Sequence, residues 1–349
     1  MKRLTTGLAA AALLACAAGA GAQDLPKTHL KVVGSIGSLA VYRNHEQPFF
    51  TKTLPERSNG QVTAEIKAFT EMGLKGPEIL RLMKSGVIEY GTTVLAYLSA
   101  DDPINEAIDL AGLTTDAATA RKVTEAFLPN YDRVYREKFG AKVLAVWSYP
   151  AQVFYCNAEV KGLADIKGKK VRTASRTQAE LVEALGGTPV TMSFGEVVPA
   201  LQNKVVDCGI TGTLSGNFAK WHEVSTHLLP LPVSWGQMVF AVNLQTWAKT
   251  DPKVRAFLEK EIKTLEQNIW NAVAFDTQDG IDCNTGKATC KQGTKANMKL
   301  VEVTPADRAL LKKLVSDTVV PKWAARCSAD CLRNWNDTVG PIVGLQAKK

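Results

Sequence analysis

The segment Asp165-Ile166-Lys167-Gly168-Lys169-Lys170-Val171-Arg172 is a basic turn running into a short strand, and its last side chain has the most chemistry to offer. A planar guanidinium at a strand end that faces a cleft grips a carboxylate through two parallel hydrogen bonds. The other fate open to Arg172 is a surface position paired with Glu180 or Glu183, and composition alone favours that one. Downstream, Thr211, Thr213 and Ser215 make a hydroxyl-rich loop, suited equally to binding ligand oxygens and to capping the helix that follows. The rings of Trp147, Tyr149, Phe154, Phe194 and Trp235 gather near two inferred chain crossings, which suggests a flat or apolar ligand body. Most large aromatics are core, so about two or three of these rings are expected to touch ligand.

Catalytic chemistry finds little support. The chain has no G-x-S-x-G elbow, no P-loop, no H-E-x-x-H and no G-x-G-x-x-G after a strand. His222 and His227 lack zinc spacing and read as surface or packing residues. No catalytic residue, cofactor or metal is predicted. Apart from Cys16, the cysteines are Cys156, Cys208, Cys283, Cys290, Cys327 and Cys331, an even set for which disulfides are the economical reading in an oxidising compartment. Cys283 and Cys290 flank a short polar loop and Cys327 and Cys331 are four apart, which suits local pairs. Zinc is the rival reading of those four, weakened by the lack of C-x-x-C spacing and by the distance of every histidine.

The elements that position these groups alternate between strand and helix, which favours a sheet covered by helices. Leu30 to Val33 reads as a strand, an amphipathic stretch follows to about Leu54, and Val62, Ala64, Ile66 and Ala68 alternate with polar residues. Gly76-Pro77 opens a helix with Ile79, Leu80, Leu82 and Met83 as its buried stripe and Gly86 at its end. Val87 to Val94 completes a parallel crossover, a unit that places ligands at strand carboxyl ends and brings Thr93 into the candidate site. Val143 to Trp147 is a strand, Ser148-Tyr149-Pro150 interrupts it before Val153-Phe154-Tyr155, and the chain is expected to cross between lobes there. The segment with Pro230 and Pro232, followed by the strand Met238 to Val242, returns it.

Within the second lobe, Gln178 to Leu185 reads as a helix, Thr188 to Thr191 as a strand and Val205 to Asp207 as another; Ser193 and Glu196 have capping-box spacing, with Pro199 awkward behind them. The clearest helix starts at Asp251-Pro252 and repeats apolar residues to Val273, about 37 Å at 1.5 Å per residue, enough to brace both lobes.

Lys2 and Arg3, a short apolar run and Ala20-Gly21-Ala22 read as a signal peptide cleaved after Ala22. Leu13-Leu14-Ala15-Cys16 loosely resembles a lipoprotein signal, an alternative in which Cys16 is lipidated. The 349 residues less the first 22 leave room for two lobes, and 46% hydrophobic with 22% charged residues supports an ordinary folded core. The formal charge of +8, reduced by two with the signal, is spread along the chain and argues against nucleic acid.

Three motifs carry a family resemblance: Ala164 to Arg172 (ADIKGKKVR), Leu185 to Val190 (LGGTPV) and Met192 to Gln202 (MSFGEVVPALQ) through Val206-Asp207. With this spacing the chain resembles the extracytoplasmic solute-binding proteins of tripartite ATP-independent periplasmic (TRAP) transporters, over its whole mature length. The resemblance implies an α/β fold of two periplasmic-binding-protein lobes with a central cleft and a bracing helix. It also implies capture of a small organic acid and its delivery to a membrane permease, in the periplasm, as a monomer or homodimer. Lobe I is expected over 23–149, completed by about 238–275, and lobe II over 150–237, completed by 276–349. Arg172 becomes the carboxylate clamp, Phe194 the ring packed on the acid, and Thr211 stands where sialic-acid-binding members have asparagine.

Departures matter as well. Gln152 stands where those members carry a second arginine, which disfavours sialic acid and two-arginine dicarboxylates and points to an aromatic or 2-oxo/2-hydroxy monocarboxylate. Cys208 replaces a usual glycine, opening a bond to Cys156. The expected ligand-binding set is Arg172, Gln152, Phe194, Thr211, Trp235, Tyr149, Phe154 and Thr93. A ligand-binding sensor, or a secreted enzyme, is the alternative class.

Overall fold

The computed structural model describes residues 25–349, so cleavage after Ala22 and the lipidation alternative at Cys16 lie outside the described residues. The chain lays down β1 (Thr28–Gly34), β2 (Val62–Ala68), β3 (Tyr90–Val94) and β4 (Ala141–Trp147), then moves into a second sheet with β5 (Gln152–Cys156), β6 (Lys170–Thr173), β7 (Thr188–Thr191), β8 (Cys208–Gly212) and β9 (His227–Ser234). It returns with β10 (Met238–Asn243) and adds a short β11 (Lys299–Leu300) to the second sheet. The orders are β2-β1-β3-β10-β4 and β11-β9-β5-β8-β6-β7. This is the two-lobe α/β fold that the sequence implies.

The crossover that forms the first sheet follows from its patterning. β3 is buried throughout, as a central strand covered on both faces must be. Between β2 and β3 the helix Ile79–Lys84 buries Ile79, Leu80 and Met83, and Gly86, at φ 80°, ends it. The strand expected from Val87 starts only at Tyr90, because Val87 stands exposed in the turn. In the second sheet β6 lies between β7 and β8 and is parallel to both. The helix Arg176–Ala184 begins at Ser175, whose side chain accepts from Gln178 N. Ser193 and Glu196 form the expected capping box, and Pro199 is tolerated because it falls in the first turn of a short helix, Val197–Gln202.

Two expectations shift. β8 starts at Cys208 rather than before Asp207; Val205 is exposed, and the Asp207 carboxylate accepts from Lys170 N at 2.8 Å instead. The hydroxyl-rich loop is therefore no loop: Thr211 is in β8, and Thr213 and Ser215 are in the helix Thr213–Phe218.

The bracing helix spans Pro252–Asn284, 33 residues, or about 50 Å. Apolar periodicity stops near Val273 because the last turns bury carboxylates in place of apolar groups. Asp279 accepts from Lys291 N and Gln292 N, and Asp276 accepts from the Gln292 amide, so a loop closed by the Cys283–Cys290 disulfide covers this end. The helix joins both sheets. Glu266 accepts from Val146 N at 2.9 Å and Trp270 donates to Val146 O on β4. Thr277 takes Ala151 N and accepts from Thr213 Oγ1 on the other side. Gly280 permits the closest approach, since a Cβ there would stand 2.2 Å from Leu214 N.

The remaining disulfides are Cys156–Cys208 and Cys327–Cys331. All six sulfurs are thereby bonded, and the zinc alternative loses its ligands. The C-terminal helices touch both halves: Leu163 N donates to Asp307, while Trp323 and Trp335 donate to the carbonyls of Pro103 and Ala107.

Candidate ligand-binding site between the sheets

β4 of the first sheet passes into β5 of the second through Ser148 to Ala151, and β9 returns to β10 through Trp235 to Gln237. These two crossings are tied together. The Asp109 carboxylate accepts from Ser234 Oγ and from the backbone N–H groups of Trp235 and Gly236, each at 2.8 Å, and Ser148 Oγ donates to Trp235 O. Burial pushes Asp109 up to about 6 in spite of these donors. Where the crossings meet the strand ends, a cavity of about 30 Å³, measured for water centres, opens into a cleft of about 810 Å³. The inner space has room for about one or two waters.

Arg172 occupies the wall contributed by the second sheet and is 1% exposed. Its Nε and Nη2 donate to Met192 O at 3.2 and 3.1 Å, and Nη1 donates to Ile210 O at 2.8 Å. Three of the five N–H bonds of a guanidinium are thus spent on backbone carbonyls beyond β7 and within β8. The others reach no further backbone carbonyl, the Tyr97 hydroxyl is the neighbouring side-chain acceptor, and no carboxylate lies within ion-pair distance among the described residues. Glu180 is taken by Arg326 and Arg176, and Glu183 by Lys322, so the surface pairing open to Arg172 in the sequence does not form. Burial lowers the Arg172 pKa, with the Tyr97 hydroxyl beside it opposing the shift. The guanidinium carbon lies 5.8 Å from the centre of the Trp221 ring, on which Phe194 stacks at 5.7 Å.

Of the residues named from the sequence, Gln152, Phe194, Thr211 and Tyr149 line the cavity together with Arg172. Gln152 is the first residue of β5 and lies within reach of Gly236, where a Cβ would meet its Nε2 at 2.8 Å. Thr211 is opposite Val153 in the β5–β8 register. The other three expected residues stand elsewhere. Phe154 is deeper along β5 and fully buried in the core. Trp235 is buried too, its indole donating to Thr114 O. Thr93 spends its hydroxyl on Gly76 O at 2.9 Å. Phe154 lies two positions inside the strand that Gln152 begins, far enough in for its ring to be core.

Sequence reasoning missed Tyr97 and Gln178, which also line the cavity, as does Ser215, whose hydroxyl the sequence left between ligand binding and helix capping. Tyr97 follows β3 directly and Gln178 lies in the first turn after β6, so the strand-end rule applied to every strand would have reached both. Thr213, by contrast, serves the bracing helix. Near Tyr149, the buried Glu46 accepts from Ser35 N at 2.7 Å. Burial pushes Glu46 up to about 7, although Ser35, Trp147 and Thr92 offer it hydrogen bonds. At the mouth of the cleft Lys75 from one half meets Glu196 from the other at 3.2 Å.

Two lobes joined by paired crossings, braced by one long helix and with a buried cation at the cavity between them, have the architecture of a small-solute binding protein. The family model for bacterial extracellular solute-binding proteins, family 7 (DctP), matches residues 44–324, and the chain belongs to that family, the binding proteins of TRAP transporters. The 2,3-diketo-L-gulonate-binding periplasmic protein YiaO of Escherichia coli is 25% identical over 236 residues, 67% of this chain and 71% of its own length. Among solved structures, a TRAP periplasmic solute-binding protein of Desulfovibrio salexigens with bound orotic acid aligns with a TM-score of 0.79 at 20% identity, over 90% of this chain and all of its own. DctP6 of Bordetella pertussis, an extracytoplasmic receptor binding pyroglutamic acid, gives 0.78 at 20% identity, over 89% and 98%. The family consists of extracellular receptors, and no described helix is long and apolar enough to cross a membrane.

Proposed function

We propose that this chain captures a small monocarboxylate between its lobes in the periplasm, after removal of a signal peptide ending at Ala22, and hands it to the membrane subunits of a TRAP permease. The observation that carries the reading is Arg172, a fully buried cation at a cavity with no carboxylate beside it. An unpaired buried charge costs several kcal/mol, and an acid bound against it removes that cost. Gln152, Thr211 and Ser215 add neutral polar groups, while Ile36, Leu39 and Val94 supply an apolar wall. Among the described residues, no second basic residue lines the inner cavity, which disfavours a dicarboxylate held wholly within it, and no acidic residue lines it either, which disfavours an ammonium group there.

The lobes divide at the crossings 148–151 and 235–237, with the C-terminal region laid across both. Solute held by both lobes exists only in the closed form, so binding shifts the population toward closure. The test is a thermal-shift screen of carboxylates that includes orotate and pyroglutamate, followed by calorimetric titration of each hit against Arg172→Ala. Loss of a desolvated charge pair weakens binding by about 2–5 kcal/mol. Equal affinity in the variant rules out the clamp.

A further inference from the structure

The polar groups around the cavity are unevenly divided between the lobes. Arg172, Gln178, Thr211 and Ser215 belong to the second sheet and its helices. From the first sheet's side come Ile36, Leu39, Val94 and Ala96, all apolar, and Tyr97. Tyr149, in the crossing, also lines the cavity, but its hydroxyl is sealed from solvent and lies beside Ser35 and Ile36. Among the described residues, the Tyr97 hydroxyl is therefore the one polar side-chain group that the first lobe offers to the inner cavity; Lys75 and Ser99 stand farther out, in the cleft.

Its placement is built rather than incidental. Tyr97 is in the turn Leu95–Leu98 directly after β3 and lines both the inner cavity and the outer cleft. The ring rests on Gly76, where a Cβ would stand 2.6 Å from Tyr97 Cδ2 and where φ is 110°, a conformation that favours glycine. Thr93 holds that floor through its bond to Gly76 O at 2.9 Å. Its hydroxyl lies beside the Arg172 guanidinium, so the two groups present neighbouring donors to one point of the cavity.

We propose that Tyr97 is a specificity-determining residue: from the first lobe it donates its hydroxyl hydrogen to the same carboxylate that Arg172 grips from the second, which makes tight closure depend on an acid group. A carboxylate offers an oxygen to each donor. A primary amide of the same shape turns its NH2 toward one of them, donor against donor, and closes the lobes poorly. The inference rests on the carboxylate reading above.

The experiment compares wild type, Tyr97→Phe and Arg172→Ala against each acid found in the screen and its primary amide. Spin labels on Val87→Cys and Val205→Cys, exposed positions on opposite lobes, report closure; the described native cysteines are all paired and take no label. Tyr97→Phe keeps the ring, so unliganded melting stays unchanged. The acid is expected to bind about 10- to 100-fold more weakly, the range of one hydrogen bond to a charged group. The acid-to-amide preference falls with it, and the label distance stays nearer the open value at saturation. If Tyr97→Phe binds the acid within about twofold of wild type and closes fully while Arg172→Ala does not bind, Tyr97 has no such role and the clamp reading stands. If no acid binds wild type, both fall together.

Discussion

Replacing Cys156 and Cys208 with alanine tests how much of the second lobe depends on one cross-link. The two residues are directly opposed in the antiparallel β5–β8 register, both buried, and 52 residues apart in sequence. They close the loop that contains β6, β7 and the helix Arg176–Ala184, hence Arg172 itself and Met192, one of the two carbonyls that hold it. The chain-entropy relation, with n of 52, gives about 4 kcal/mol of stabilisation at 25 °C. The same relation gives only about 2 kcal/mol for each of the pairs Cys283–Cys290 and Cys327–Cys331, which are 7 and 4 residues apart. Urea unfolding of the three double-alanine variants, followed by far-UV circular dichroism, should rank them in that order. A loss smaller for Cys156/Cys208 than for the short-loop pairs would refute the reasoning, because loop length would then not govern the effect.

Glu46→Gln tests the buried carboxyl near Tyr149. Its folded pKa is raised from 4.5 to about 7, so folding holds the proton more tightly than the unfolded chain does. The proton-linked stability is fully present below about pH 4.5 and is lost as pH rises toward 7, about 3 kcal/mol in all. Glutamine, which does not titrate, should flatten that part of the pH–stability curve in chemical unfolding; an unaltered slope would show that Glu46 is not its source. Arg326 bridges Glu106 and Glu180, whose side chains are 1% and 9% exposed. Arg326→Ala takes the ion-pair partner from Glu106 and leaves Glu180 with the exposed Arg176 alone; it should cost about 3–5 kcal/mol in the same assay, whereas a cost under about 1 kcal/mol would mark the network as an ordinary surface pair.

What the sequence made legible was whatever follows from period and punctuation. The strand, helix, strand unit ending in β3, the capping box at Ser193 and Glu196, and the start of the long helix at Asp251-Pro252 all rest on local rules. Its end did not, because Asp276 and Asp279 look like solvated residues until the loop that hydrogen-bonds to them is folded over. Arg172 was reached through the family motif and the strand-end rule together, for composition alone pointed to a surface pair. The aromatic cluster misled at Phe154 and Trp235, since ring size predicts burial without saying whether a cavity or the core is on the other side. Tyr97 stayed hidden because nothing in its neighbours announces that Gly76, twenty-one positions earlier, clears a seat for its ring.

The knot at Asp109 has a mechanical corollary. Since one carboxylate gathers Ser234, Trp235 and Gly236, and Ser148 reaches across to the carbonyl of Trp235, the two connections are tied to each other at one point. So joined, they favour hinging over sliding as the expected motion between lobes, and under the proposed function the surface offered to a membrane partner would follow the angle of opening.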